Sequence, residues 1–112
     1  MKRGEIWWAS LPAPHGSSPG YRRPVVVVQS NDFNESRIQT VVVAAITSNL
    51  SLSAAPGNIA VSSRSTGLSR KSVVNVSQLL TLTKSLLTER IGRVDGVSLH
   101  RLDDGLRLVL AL

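Results

Sequence analysis

Tyr21-Arg22-Arg23-Pro24-Val25-Val26-Val27-Val28-Gln29 joins two guanidinium groups to a proline and four consecutive valines. Pro24 has a fixed φ and pushes the residue before it out of the helical region, so Arg23 is held extended at the lip of whatever the valines form. An unbroken run of β-branched residues reads as a strand covered on both faces. The stretch therefore predicts the middle of a sheet with a fixed arginine at its end. A guanidinium keeps its charge at any working pH and presents a planar fork of donors that matches phosphate. The same residues also fit a plain solvated pair at a strand end.

Working outward, Gly4 to Leu11 reads as a first strand, with Ile6, Trp7 and Trp8 as bulky β-formers. On a two-residue period the two tryptophans cannot both point inward, so one faces the core and the other a surface, a partner or a nucleobase. Pro12 to Tyr21 is Pro, Gly, Ser and Ala with one histidine, a surface loop that ends at the arginines. Ser30 to Ser36 carries the turn formers Asn31, Asp32, Asn34 and Glu35 and should reverse the chain. Thr40 to Ile46 is a second apolar strand, near enough to pair antiparallel with the valine run, and it leads into Thr47, Ser48 and Asn49.

Further on, Leu50 to Gly57 reads as a loop, Asn58 to Ser62 as a short strand, and Ser63 to Arg70 as a turn region. Ser72 to Asn75 and Leu79 to Leu82 read as two more short strands. Short strands divided by turns predict a small curled sheet or barrel instead of βαβ units. The C-terminus alone has helical spacing, with Leu99, Leu102, Leu106 and Val109 on one stripe, Asp95 or Ser98 as cap, and Asp103 four residues before Arg107. Gly105 weakens that helix by about 1 kcal/mol relative to Ala, so it depends on docking to the sheet.

Composition narrows the partners. At 112 residues the chain is a single domain with one modest core, spanning 1–112. Thirteen Lys and Arg against seven Asp and Glu give a formal charge of +6, and ten of the thirteen are arginine. That balance favours polyanions. No apolar run reaches the roughly 20 residues of a spanning helix, and the N-terminus lacks the apolar core of a secretory signal, which argues against a membrane and for the cytoplasm. There is no cysteine, and the two histidines, His15 and His100, are far apart. Disulfides and thiolate sites are excluded, and neither a metal nor another cofactor is expected.

The ordered set Arg-Gly-Glu-Ile-Trp, a Gly-Ser loop, Arg-Pro-Val-Val-Val-Val, Ala-Ala-Ile-Thr-Ser and Gln78 resembles the MazF/PemK toxins of bacterial toxin–antitoxin pairs, over nearly the whole chain. The resemblance implies a mainly β (α+β) fold, an SH3-like twisted antiparallel β-barrel with a C-terminal helix. It also implies a homodimer that cleaves single-stranded RNA at short sequences without a metal and is neutralised by a cognate antitoxin protein. On that pattern Arg23 matches the catalytic arginine, Thr47 the catalytic threonine, and Gly16 and Ser17 the start of a loop that closes over RNA. Many members carry acidic residues where this chain has Ser18 and Ser77.

The chemistry can be put to the residues directly. Metal-free cleavage lets the ribose 2′-hydroxyl attack the adjacent phosphate, giving a 2′,3′-cyclic phosphate and a 5′-hydroxyl end. It requires a proton acceptor, a proton donor for the leaving oxygen, and donors to the phosphorane oxygens. Arg23 suits the last task and Thr47 adds a hydroxyl. His15 is the one candidate whose ordinary titration range suits a proton shuttle, although a histidine in such a loop reads first as a plain surface residue. Arg22, Ser17, Gln29, Asn31, Ser48 and Gln78 are further candidates for RNA contact. Two other readings stay open: a non-catalytic nucleic-acid-binding barrel, and a CcdB-like toxin directed at gyrase. A basic groove predicts an acidic antitoxin segment, and Leu79 to Leu87 with Trp7 or Trp8 is the expected dimer contact.

Overall fold

The valine run lies in the middle of the sheet. In the computed structural model, which describes residues 1–11 and 21–112, β2 (Tyr21–Val27) is flanked by β1 (Glu5–Leu11) and β3 (Thr40–Thr47). Among the described residues the strand order is β4-β5-β3-β2-β1-β6, and every pairing is antiparallel. The expected pairing of the two apolar runs is present, with Val25 opposite Ala45 and Val27 opposite Val43. The sheet curls into a half-barrel, and α3 (Gly96–Leu110) packs against it, in accord with the mainly β reading.

Two-residue alternation divides the interior into two cores. Ile6, Val26, Ala44, Ile46, Val74 and Val76 face α3, where Leu102 and Leu106 meet them. Ala9, Val25, Val27, Val41 and Val43 face the other side, bordered by Trp7, Leu80 and Leu86. This double burial explains why the central strands read as continuous apolar runs, since each has a core on both faces.

Three local expectations change. Ser30 to Ser36 reverses the chain through one helical turn, α1 (Asn31–Asn34), because the Ser30 side chain accepts from the Asp32 amide as an N-cap. The two short strands expected over Ser72 to Leu82 are one, β5 (Ser72–Thr83), interrupted by a bulge: Ala45 pairs with Asn75, and the adjacent Ala44 with Leu79. The polar residues that resembled a break, Ser77 and Gln78, lie in that bulge. Lys84 to Leu86 forms a 3-10 turn into β6 (Leu87–Arg93), an edge strand whose charged residues masked it in the sequence. The remaining elements are the 3-10 turn Leu50–Ala54, β4 (Ile59–Val61) and α2 (Ser63–Thr66).

The terminal helix is capped by Asp95, whose Oδ1 accepts from the Ser98 amide at 2.7 Å. Its expected pair is replaced: Asp103 meets Arg3 at 2.8 Å, and Arg107 meets Asp104 at 3.2 Å. Of the leucine stripe, Leu102 and Leu106 are buried and Val109 is exposed. Gly105 is where α3 crosses the turn at Gly57, backbone against backbone. The loop with His15, Gly16, Ser17 and Ser18 lies outside the described residues; Tyr21, placed at its end, is the first residue of β2.

Candidate nucleic-acid interface

A cavity of about 570 Å³ opens at the start of β2 and the end of β3, beside the middle of β1. Trp8, Pro24 and Ile46 contribute its apolar wall, and Ser48, Ser69 and Ser72 contribute hydroxyls. Arg22, Arg23 and Arg70 stand around it. Arginine residues around an apolar recess, with the Arg22 guanidinium over the Trp8 ring, suit a ligand that combines phosphate with a flat ring.

Strand register explains why these residues meet. Trp8 lies opposite Pro24 in the β1–β2 ladder, and Ser10 opposite Arg22, so Arg22 is diagonal to the indole. Its Cζ sits 4.3 Å from the centre of the Trp8 ring, and its Nη2 donates to Glu89 Oε2 at 3.1 Å. Glu89 is itself opposite Trp8 in the β1–β6 ladder. The two tryptophans divide as the period requires. Trp7 packs beside the second core with its indole N–H donating to Glu5 Oε1 at 3.1 Å, and Trp8 walls the cavity.

Arg23 and Thr47 belong to the neighbouring position. Val25 faces Ala45, so counting two residues outward along each strand sets Arg23 across from Thr47, on the same side of the sheet. Arg23 also borders the cavity, as do Ile46 and Ser48, whereas Thr47 is not part of its wall. The Thr47 hydroxyl accepts from the Asn49 amide at 3.1 Å, which fixes the side chain and leaves its proton to donate elsewhere.

The other candidates separate. The Gln29 amide donates to Asn34 Oδ1 and the Thr40 carbonyl and accepts from the Val42 amide, at 3.0 to 3.2 Å, so it binds α1 to β3. Asn31 Oδ1 accepts from the Arg3 amide at 2.7 Å and from Asn34 at 3.1 Å. Neither side chain borders the cavity. Gln78 is half-buried in the β5 bulge, beside Ser77, whose hydroxyl donates to Asn75 Oδ1 at 2.8 Å. Ser17 and His15 lie outside the described residues.

Arg70 and Glu89 were missed in the sequence. Arg70 follows Gly67-Leu68-Ser69 in a stretch read only as a turn, and Glu89 belongs to the strand that went unseen.

One titration in this region is perturbed. Burial pushes the Glu5 carboxyl up, but the Lys2 amide, the Trp7 indole and the charge of Arg90 together outweigh it and hold the group below its usual range. Among the described residues, no cluster of three or more His, Cys, Asp or Glu could hold a metal ion. No helix among them is long and apolar enough to cross a membrane.

The profile of the PemK-like, MazF-like toxins of type II toxin–antitoxin systems matches residues 2–110. The chain belongs to that toxin family. It is 50% identical over 112 residues to Endoribonuclease MazF6 of Mycobacterium tuberculosis, covering 100% of this chain and 98% of the relative. It is 34% identical to Endoribonuclease EndoA of Bacillus subtilis, covering 100% and 96%. Among solved structures, MazF from Deinococcus radiodurans superposes with a TM-score of 0.81 at 18% identity, covering 100% of this chain and 97% of that one. A mycobacterial endoribonuclease in complex with its cognate antitoxin superposes at 0.79 and 22% identity, covering 100% and 96%. These two establish the MazF fold for this toxin, a curled sheet with a C-terminal helix.

Proposed function

We propose that the chain is an endoribonuclease toxin that cleaves single-stranded RNA at short sequences and is neutralised by a cognate antitoxin. The full-length likeness to two proteins named endoribonucleases supports the activity. The observation that carries the mechanism is the β2–β3 register, Val25 opposite Ala45, which extended by two residues brings Arg23 toward Thr47, with Arg23 at the rim of the recess.

In this reading a phosphodiester lies across the ends of β2 and β3. The ribose 2′-oxygen attacks phosphorus, the P–O5′ bond breaks, and the products carry a 2′,3′-cyclic phosphate and a 5′-hydroxyl. Arg23 donates its fork to the non-bridging oxygens, where negative charge grows in the transition state, and the Thr47 hydroxyl adds a third donor. His15 takes the proton-shuttle role. Arg22, Ser48 and Gln78, with Ser17, hold the flanking nucleotides; Gln29 and Asn31 act by fixing the strand ends.

The antitoxin contributes an acidic segment that competes for the arginines. A second copy of the chain covers Trp7, Leu80 and Leu86, which border the second core and are only half-buried. Incubating purified protein with a long RNA in EDTA and mapping the ends tests the reading. Cyclic phosphate and 5′-hydroxyl ends are expected. Linear 3′-hydroxyl ends would mean water attack, and salt-sensitive binding without cleavage would leave a binder in place of an enzyme.

A further inference from the structure

We propose that the face of Trp8 is a subsite for a single nucleobase, and that the free chain fills it with its own Arg22. Glu89 is the positioning residue that parks the guanidinium there until an RNA phosphate takes the place of its carboxylate. The inference rests on RNA being the ligand of this cavity, not on its cleavage.

Two exchanges of like for like carry it. A guanidinium plane and a nucleobase both stack on an indole, and here the ring face is already covered, with Arg22 Cζ 4.3 Å from its centre. A carboxylate and a phosphate both accept the arginine fork, and Glu89 Oε2 holds Nη2 at 3.1 Å. The side chains of this pair are 55% and 67% exposed, so water competes for it and little opposes the swap. Ladder register brings Glu89 opposite Trp8 and Arg22 to its diagonal, so the strands themselves build the arrangement.

The surroundings fit a base and its phosphate. A cavity of about 570 Å³ is large enough for a nucleotide. Arg70, Ser69 and Ser72 line it with donors and acceptors for a base edge. Tyr21, bordering the cavity, has φ +60, a backbone state that a bulky aromatic residue adopts only at a cost.

The Trp7→Phe protein has Trp8 as its single tryptophan, so its emission reports the subsite. The probe is a labelled, mixed-sequence 2′-O-methyl RNA, which binds but offers no 2′-hydroxyl. Label anisotropy reads binding, and Trp8 emission reads stacking. Emission is expected to fall with the same midpoint as the anisotropy rise. Glu89→Gln takes the charge out of the parked contact, weakening the competing state, and is expected to tighten binding about three- to tenfold. Asp104→Asn, which deletes the same charge on α3, controls for long-range repulsion and is expected to change binding by less than about twofold. Binding without a change in emission, no binding, or equal effects of the two variants would overturn the subsite. Cleavage of unmodified RNA is scored separately: its absence with quenching intact removes the nuclease reading and leaves the subsite standing.

Discussion

Gly105 on α3 and Gly57 ahead of β4 meet backbone to backbone, so that a methyl group on Gly105 would run into the Gly57 carbonyl oxygen. Helix propensity favours alanine over glycine by about 1 kcal/mol, yet here the contact reverses the sign. Gly105→Ala is expected to destabilise the protein by about 1–3 kcal/mol, because neither backbone can yield without lifting α3 from Leu102's pocket. Thermal unfolding of the variant checks this; an unchanged or raised Tm would contradict the contact.

Arg3 ties the N-terminus to three elements. Its Nε donates to the Val28 carbonyl at 2.8 Å, its amide to Asn31 at 2.7 Å, and its Nη1 meets Asp103 at 2.8 Å, a charge contact without hydrogen-bond alignment. Asp103→Asn is expected to cost about 1–2 kcal/mol, since it leaves a partly buried guanidinium without its counter-charge. Urea titrations at low and high salt measure it, and the loss should shrink as salt screens the pair.

Asp95 caps α3, and the amide and hydroxyl of Ser98 hold its carboxyl below the usual aspartate range. A carboxyl depressed in the folded state stabilises above its unfolded value, and that stabilisation is lost as pH falls through the folded one. The loss should therefore come below about pH 3.8, the ordinary value of the group. Asp95→Asn, which still caps, should flatten the acid limb of a Tm-against-pH curve while leaving the neutral Tm nearly unchanged.

Arg23→Ala is expected to lower the cleavage rate by about 100-fold or more, the usual cost of removing a donor to developing oxyanion charge. Arg23→Lys should recover only part, because an ammonium cannot reproduce the planar fork. Single-turnover rates on a defined transcript decide it, and wild-type cleavage by the alanine variant would remove Arg23 from the mechanism.

What could be read from the chain, and what could not, follows from range. The valine run and Thr40–Thr47 were legible because double burial writes itself as unbroken hydrophobicity, and Asp95 because a cap acts within three residues. Residues from both strand ends that gather at the recess were legible from the Arg-Pro pair onward. Arg70 and Glu89 were not, since their relevance depends on strands that are far apart in sequence lying side by side. Gln29 and Asn31 looked available as polar side chains near a strand end, and only the folded chain shows their amides committed to neighbours. Lys84 is similar: its Nζ reaches the carbonyls of Phe33, Asn34 and Ser36 at 3.0 to 3.5 Å, closing α1 from 48 or more residues away.

The bulge in β5 makes one strand serve two interiors. Val74 ahead of it and Val76 at its start point toward α3; after it, Leu80 and Leu82 of the same parity point into the opposite core. The odd step is supplied by Val76, Ser77 and Gln78, which stand between partners of adjacent β3 residues. Deleting Ser77 or Gln78 with a one-residue slip in register would turn Leu79 to Thr83 inside out while leaving the hydrophobic content unchanged. Chain length at that spot is thus a parity switch, and substitutions of the exposed Ser77 should be tolerated far better than any change in spacing.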